Sequence, residues 1–255
     1  MKRFDVNCFL GKWPFHSCRF STADALRAAH EKAGITGGLV SSVDSVFYLD
    51  PLSAEKTLHD ELSGLNGYGQ IFSLNPLLPA AVELAAEALE RFHIRGIRLT
   101  RGYHGFSWHD PRVRALLAFA EKSGLAVLLS LRLEDGRLDY IVSPLREDTT
   151  ALGAALGDMP DIPVILTHIY QEELTEIREA MLRRRNTYAD LSYFKSSADC
   201  LERAADAVGC SRLVFGSGYP LGTLQSAVTL LEHAAISDTE KNDIWWNNAA
   251  RIFGL

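Results

Sequence analysis

The chain lacks the marks of a stapled or zinc-bound small domain. Its 255 residues hold four cysteines, Cys8, Cys18, Cys200 and Cys210, with no Cys-x-x-Cys pair and no histidine in zinc-finger spacing. They read as reduced thiols, mostly buried. No apolar run approaches the roughly 20 residues that cross a bilayer. The opening Met1-Lys2-Arg3-Phe4 leads into Asp5 and Asn7 rather than into an apolar signal segment, so a cytoplasmic protein with no membrane partner is expected. The 26 Lys and Arg are dispersed among 32 Asp and Glu, which offers no positive stripe to a phosphate backbone and excludes nucleic acid as an expected partner. No internal repeat, low-complexity tract or linker appears, so residues 1–255 are expected to form one domain.

What is present is alternation. Short apolar runs at Phe4–Leu10, Gly38–Val43, Gly69–Leu74, Gly96–Thr100, Ala126–Leu131, Pro163–Thr167, Thr187–Leu191 and Leu213–Gly216 read as strands. Amphipathic stretches lie between them: Thr22–Lys32, Ser53–Leu65, Ala80–Phe92, Pro111–Lys122, Thr149–Leu156, Gln171–Arg184 and Ala198–Ala207. Two more follow, Leu224–Ala235 and Asp238–Phe253. Ser21 or Thr22, Asp110 with Pro111, Ser197 and Ser237 suit helix starts. Strands separated by helices of this length run parallel, because parallel neighbours cannot be joined by a tight hairpin. The expected fold is α/β, a single (β/α)8 TIM barrel. An open doubly wound sheet is the alternative, but the first strand lacks the Gly-rich turn of a dinucleotide site. In such barrels the chemistry lies at the strand C-termini.

The residues there carry a resemblance. Phe4-Asp5-Val6-Asn7-Cys8-Phe9-Leu10-Gly11, Gly96-Ile97-Arg98-Leu99, Pro163-Val164-Ile165-Leu166-Thr167-His168, Asn186-Thr187-Tyr188-Ala189-Asp190-Leu191-Ser192, Leu213-Val214-Phe215-Gly216-Ser217-Gly218-Tyr219-Pro220 and Asn248-Ala249-Ala250-Arg251-Ile252-Phe253 follow one another along the chain. In this order they resemble the amidohydrolase superfamily, in its amidohydrolase-related branch. The resemblance implies a metal-supporting barrel that hydrolyses or decarboxylates. It also implies ligands that this chain does not have. The family's Asp-x-His-x-His on the first strand corresponds to Asn7 and Phe9, its fifth-strand His to Ser130, and its last-strand Asp to Gly218, leaving His168 after the sixth strand. Phe9 and Gly218 have no donor atom, and Asn7 and Ser130 offer only neutral oxygen. No zinc of the usual kind is expected, and no cofactor. The alternative is one divalent metal, Zn, at a non-standard site made by His168 with Glu134, Asp135 or His104.

With Asn7 and Phe9 facing the lumen, as the resemblance implies, period-two parity adds Asp5, and the positions that match the family add Arg98 with Thr100, Ser130 with Arg132, and His168; Tyr188, Asp190 and Ser192 share one face of the seventh strand, which is expected inward. Two arginines and a histidine at one mouth suit an anion, since guanidinium forks match carboxylates. Against this, Arg98 could pair with Asp5 or Asp190 as a buried structural charge, and His168 could be a structural remnant. The expected site has His168 as acid or base, with Asn7, Arg98, Ser130, Arg132, Tyr103, His104, Ser192 and Tyr219 as ligand contacts. Glu134 and Asp135 read more readily as a solvated loop. The loop Arg101–Phe106 and the segment Lys12–His16 read equally as pocket walls or as cover for the barrel end. The expected function is a hydrolase- or lyase-like enzyme on a small carboxylated compound. The alternatives are a non-catalytic ligand-binding barrel or an enzyme with a relocated metal. A small anionic molecule is the expected partner, and a homo-oligomer is compatible with the sequence.

Overall fold

Each apolar run forms a strand. In the computed structural model, which describes residues 2–15, 17–18, 21–134 and 146–255, eight parallel strands follow one another in chain order. They are β1 (Asp5–Leu10), β2 (Gly38–Ser42), β3 (Tyr68–Ser73), β4 (Gly96–Leu99), β5 (Ala126–Ser130), β6 (Val164–Thr167), β7 (Thr187–Asp190) and β8 (Leu213–Val214). Between them run α1 (Ala23–Lys32), α2 (Pro51–Leu62), α3 (Ala81–Phe92), the single turn α4 (Arg101–His104), α5 (Pro111–Lys122), α6 (Thr149–Asp158), α7 (Gln171–Glu176), α8 (Arg178–Arg183) and α9 (Cys200–Val208). After β8 come α10 (Leu224–His233), α11 (Asp238–Asn242) and α12 (Asn248–Phe253). This is the (β/α)8 barrel, and the open sheet is excluded by its seam. Cys8 bridges Tyr219, Val6 N–H donates to Phe215 O, Phe9 N–H to Tyr219 O, and Gly218 N–H to Asn7 O.

The helix starts follow the capping chemistry at Thr22, Asp110 and Ser237, whose side chains accept first-turn N–H groups. Ser197 is different: its hydroxyl donates to Asp199, and α9 begins only at Cys200. The single helix expected over Gln171–Arg184 breaks at Ile177, which lets α7 pack on α9 while α8 packs on α6. Asp238–Phe253 is interrupted by a π-turn at Asp243–Asn247.

The lower lumen is apolar, filled by Val6, Leu39, Ile71, Leu128, Ile165, Tyr188 and Val214, and stoppered by Ala249 and Phe253 of α12. A far larger apolar layer joins strands to helices. Burial at about 25 cal/mol per Å² of apolar surface makes these two layers the main source of stability. The layer above the apolar plug is polar and equally buried: Asn7, Ser41, Arg98, Ser130, Thr167 and Asp190 are all at most 3% exposed.

One parity expectation is corrected. The register of β1 against β2 shifts between Asp5 and Cys8, so Asp5 and Cys8, three apart, face the same side. Asp5 therefore turns toward His30 of α1 instead of joining the lumen. Among the described residues no helix is long and apolar enough to cross a membrane.

Candidate functional site

The polar layer is organised by Arg98, which β4 carries into the lumen. Its Nε donates to Ser41 Oγ (2.8 Å), Nη1 to Ser130 Oγ (2.7 Å) and Thr167 Oγ1 (3.3 Å), and Nη2 to Asn7 Oδ1 (2.9 Å). The guanidinium stacks over Phe9, 4.4 Å from the ring centroid. Burial lowers its pKa to about 9, so it stays charged at neutral pH. The pairing with Asp5 or Asp190 considered above does not occur: four neutral oxygens hold the fork. Arg98 is consequently a buried strut and not an open clamp.

Because Asn7 Oδ1 faces Arg98, its Nδ2 must face the other way. It donates to Asp190 Oδ2 (2.6 Å) and lies 3.3 Å from His168 Nε2. That fixes the histidine tautomer. Nε2 accepts, so the proton sits on Nδ1, which is buried and has no hydrogen-bond partner among the described residues. The ring stacks on Phe9 (centroids 5.7 Å) and meets Tyr193 edge-on (5.0 Å). Burial, reinforced by the charges of Arg98, Arg132 and Lys195, holds its pKa well below the ordinary histidine value, so the imidazole is neutral. His168 also sits at φ 56°, a left-handed backbone that carries strain outside glycine. Asp190 Oδ1 accepts from His168 N and Ser192 Oγ. Burial outweighs these bonds and pushes the Asp190 carboxyl up to about 7.

Arg132 reaches the rim but is not free there. It forms an ion pair with Glu173 at both guanidinium ends of the fork, donates to His168 O, and stacks 4.2 Å over Tyr170. Glu173 also accepts Tyr170 N–H at the start of α7. Tyr103 packs edge-on against Trp13 and Phe47, and burial raises its pKa. His104 donates through Nε2 to Val46 O (2.8 Å), and burial lowers its pKa. Glu134 accepts from Trp13 Nε1 (2.6 Å). Trp13, Val46 and Tyr103 pack in one cluster with Phe9, the ring on which His168 and Arg98 stack. Tyr219 contributes its backbone to the seam while its side chain packs against two apolar clusters of the barrel wall. Asp135 and His16 lie outside the described residues. The structure thus joins Asn7, Arg98, Ser130, Ser192 and His168 by hydrogen bonds, and leaves the side chains of Tyr103, His104 and Tyr219 outside that network.

Thr167, Ser41 and Glu173 were missed by sequence reasoning. Ser41 has the parity of the lumen residue Leu39, and Glu173 stands at the third position of α7, where a carboxylate caps the helix; both were readable signals.

A metal of the family type would need donors at 7, 9, 130, 168 and 218. Asn7 is spent between Arg98 and Asp190, Phe9 has no donor, and Ser130 serves Arg98. A Cβ at Gly218 would fall 2.7 Å from His168 Nε2. As arranged, these side chains do not fit it. Nor do the described residues assemble a relocated set around His168, since the one group of three metal-binding types within reach of one another is Asp5, Cys8 and His30.

A family model described as amidohydrolase matches residues 66–255. An L-fucono-1,5-lactonase of Burkholderia multivorans is 32% identical over 118 residues, a stretch spanning 42% of this chain and 38% of that protein. The fold is shared with 5-carboxyvanillate decarboxylase from Sphingomonas paucimobilis (TM-score 0.78, 15% identity, 100% of this chain and 99% of that one). It is shared as well with a dihydroxybenzoic acid decarboxylase from a Polaromonas species, solved with manganese and an inhibitor (TM-score 0.77, 14% identity, 100% and 97%).

Proposed function

The chain belongs to the amidohydrolase family, and on that premise we propose that it is a metal-independent hydrolase- or lyase-like enzyme acting on a small carboxylated compound at the C-terminal end of the barrel. The observation that carries the reading is the buried, unpartnered Nδ1–H of a neutral His168, surrounded by the fields of Arg98, Arg132 and Lys195. A buried donor left unpaired costs about 1–3 kcal/mol. An anionic oxygen offered to it removes that cost, and the surrounding positive potential favours the same anion.

In this reading His168 donates a hydrogen bond from Nδ1 to an oxygen on which negative charge develops, as a neutral imidazole can where a cation is disfavoured. Asn7 holds Nε2 and so the ring's orientation. Asp190 and Ser192 fix the His168 backbone. A lactone carbonyl develops such charge when it is attacked, and an aromatic carboxylate carries it from the start; these are the substrate types in the names of the lactonase and the decarboxylase.

The test is turnover of a panel of hydroxybenzoates and aldonolactones by tag-free protein, with and without chelator, beside His168→Asn. Turnover insensitive to chelator and reduced about 10²- to 10³-fold in the variant is expected. Activity abolished by chelation of protein that stays folded, and restored by a divalent metal, would overturn metal independence. Binding without turnover would assign a ligand-binding barrel instead.

A further inference from the structure

On the outer face of β1, away from the lumen, three side chains of metal-binding type converge. A regular strand would send Asp5 and Cys8 to opposite faces, but the register shift between them turns both toward α1, where His30 meets them. His30 Nε2 lies 3.4 Å from Asp5 Oδ2 and 3.8 Å from Cys8 Sγ, and all three atoms lie within 4.8 Å of one another. Tetrahedral zinc, with bonds of about 2.0–2.3 Å, sets its donor atoms roughly 3.3–3.8 Å apart.

Three further observations bear on the cluster. Asp5 Oδ1 is satisfied by the N–H groups of Asn7 and Ser217 at 3.0 Å each, yet Oδ2, on a side chain that is 0% exposed, has no hydrogen-bond partner among the described residues and faces the cluster. His30 Nδ1 is 2.9 Å from Tyr68 Oη; donating there leaves the Nε2 lone pair directed at Asp5 and Cys8, the arrangement that orients a metal-bound imidazole. Gly38 borders the cluster, and a Cβ there would stand 3.4 Å from both Cys8 Sγ and His30 Cε1.

We propose that Asp5, Cys8 and His30 form a structural site for a divalent cation of the zinc type, clamping α1 to the barrel seam. The donor set of thiolate, imidazole and carboxylate suits zinc in preference to magnesium or calcium. A dication with one thiolate and one carboxylate is neutral overall, which suits full burial better than a lone carboxylate does. On binding, the Cys8 S–H bond breaks, the sulfur–metal bond forms, and the proton leaves to solvent. The clamp would act where the barrel closes, because Asp5 Oδ1 already ties β1 to the chain after β8 and Cys8 bridges Tyr219. This site is separate from the His168 network and does not depend on the function proposed for it.

The test unfolds tag-free protein, strips it with chelator and refolds it with one equivalent of Co²⁺ or Zn²⁺. One tightly held metal per chain, a sulfur-to-cobalt charge-transfer band and a raised Tm are expected. The same band is expected in His168→Asn and in the triple variant Cys18→Ala, Cys200→Ala, Cys210→Ala, which leaves Cys8 as the only thiol; Cys8→Ser should abolish it. Should Cys8→Ser fail to fold, X-ray absorption of the zinc-loaded parent decides, with one sulfur ligand expected. Less than one equivalent of metal, a metal without a sulfur ligand, or a band that survives Cys8→Ser would overturn the site.

Discussion

His168 Nε2 occupies the space into which a side chain at Gly218 would project: a Cβ there would come within 2.7 Å of it. Gly218 also has φ 68°, a left-handed backbone suited to glycine. The imidazole at the end of β6 and a carboxylate after β8 are therefore alternatives in this arrangement. Replacing a single residue does not rebuild the site that the family resemblance implies.

Gly218→Asp is accordingly expected to lose stability and gain no metal. The positive φ alone costs roughly 1–3 kcal/mol in a non-glycine residue, and displacement of His168 adds to it. Urea unfolding beside metal analysis checks this. A variant as stable as the parent that takes up one equivalent of manganese through His168 would show that only the missing carboxylate kept the metal out.

Arg98→Met should destabilise the barrel by roughly 1–3 kcal/mol. Ser130 and Thr167 can still bond each other, 2.8 Å apart, so the loss falls on Ser41 and Asn7, while release of a buried cation offsets part of it. The same change removes a charge that depresses His168, whose titration should move to higher pH. Chemical denaturation reads the first effect and NMR of the imidazole the second.

Stability is expected to fall as pH rises between about 4 and 8. An unfolded chain ionises Asp190 near 3.8, whereas the folded chain holds that proton to about 7, so raising the pH through this window favours unfolding. Glu55, buried against Ser45 and Gln70, adds the same slope from 4.5 to about 8. His168 acts oppositely: its depressed pKa lowers stability as pH falls below 6.5. Urea midpoints at pH 4.5, 6 and 8 should lose part of the alkaline-going decline in Asp190→Asn and another part in Glu55→Gln. An unchanged slope in both would refute the assignment.

Arg132→Ala and Glu173→Gln should be non-additive, with a coupling of about 1 kcal/mol, because the pair is only 17% and 20% exposed and bidentate. A double-mutant cycle on unfolding free energy measures it. Independent effects would return Arg132 to the role of an unengaged cation available to a ligand.

The sequence by itself determined the eight strands and most of the helices, since period-two and helical patterning act locally, and the order of the family-like segments pointed to a closed barrel over an open sheet. It also determined which donors a family-type metal would lack, because Phe9 and Gly218 carry none in any fold. The positions that match the family, extended by period-two alternation, pointed Asn7, Arg98, Ser130, Asp190, Ser192 and His168 to one lumen, where hydrogen bonds join them. Only the tertiary structure decided what those residues do with one another. Whether Arg98 meets a carboxylate or Ser41, Ser130, Thr167 and Asn7 depends on strand stagger around a closed barrel, which no local pattern encodes. Arg132 found Glu173 because α7 begins beside β5 in space, 41 residues further along the chain. Asp5 escaped its parity through a register shift in β1, and so met Cys8 and His30 across a strand–helix contact that spacing in sequence conceals.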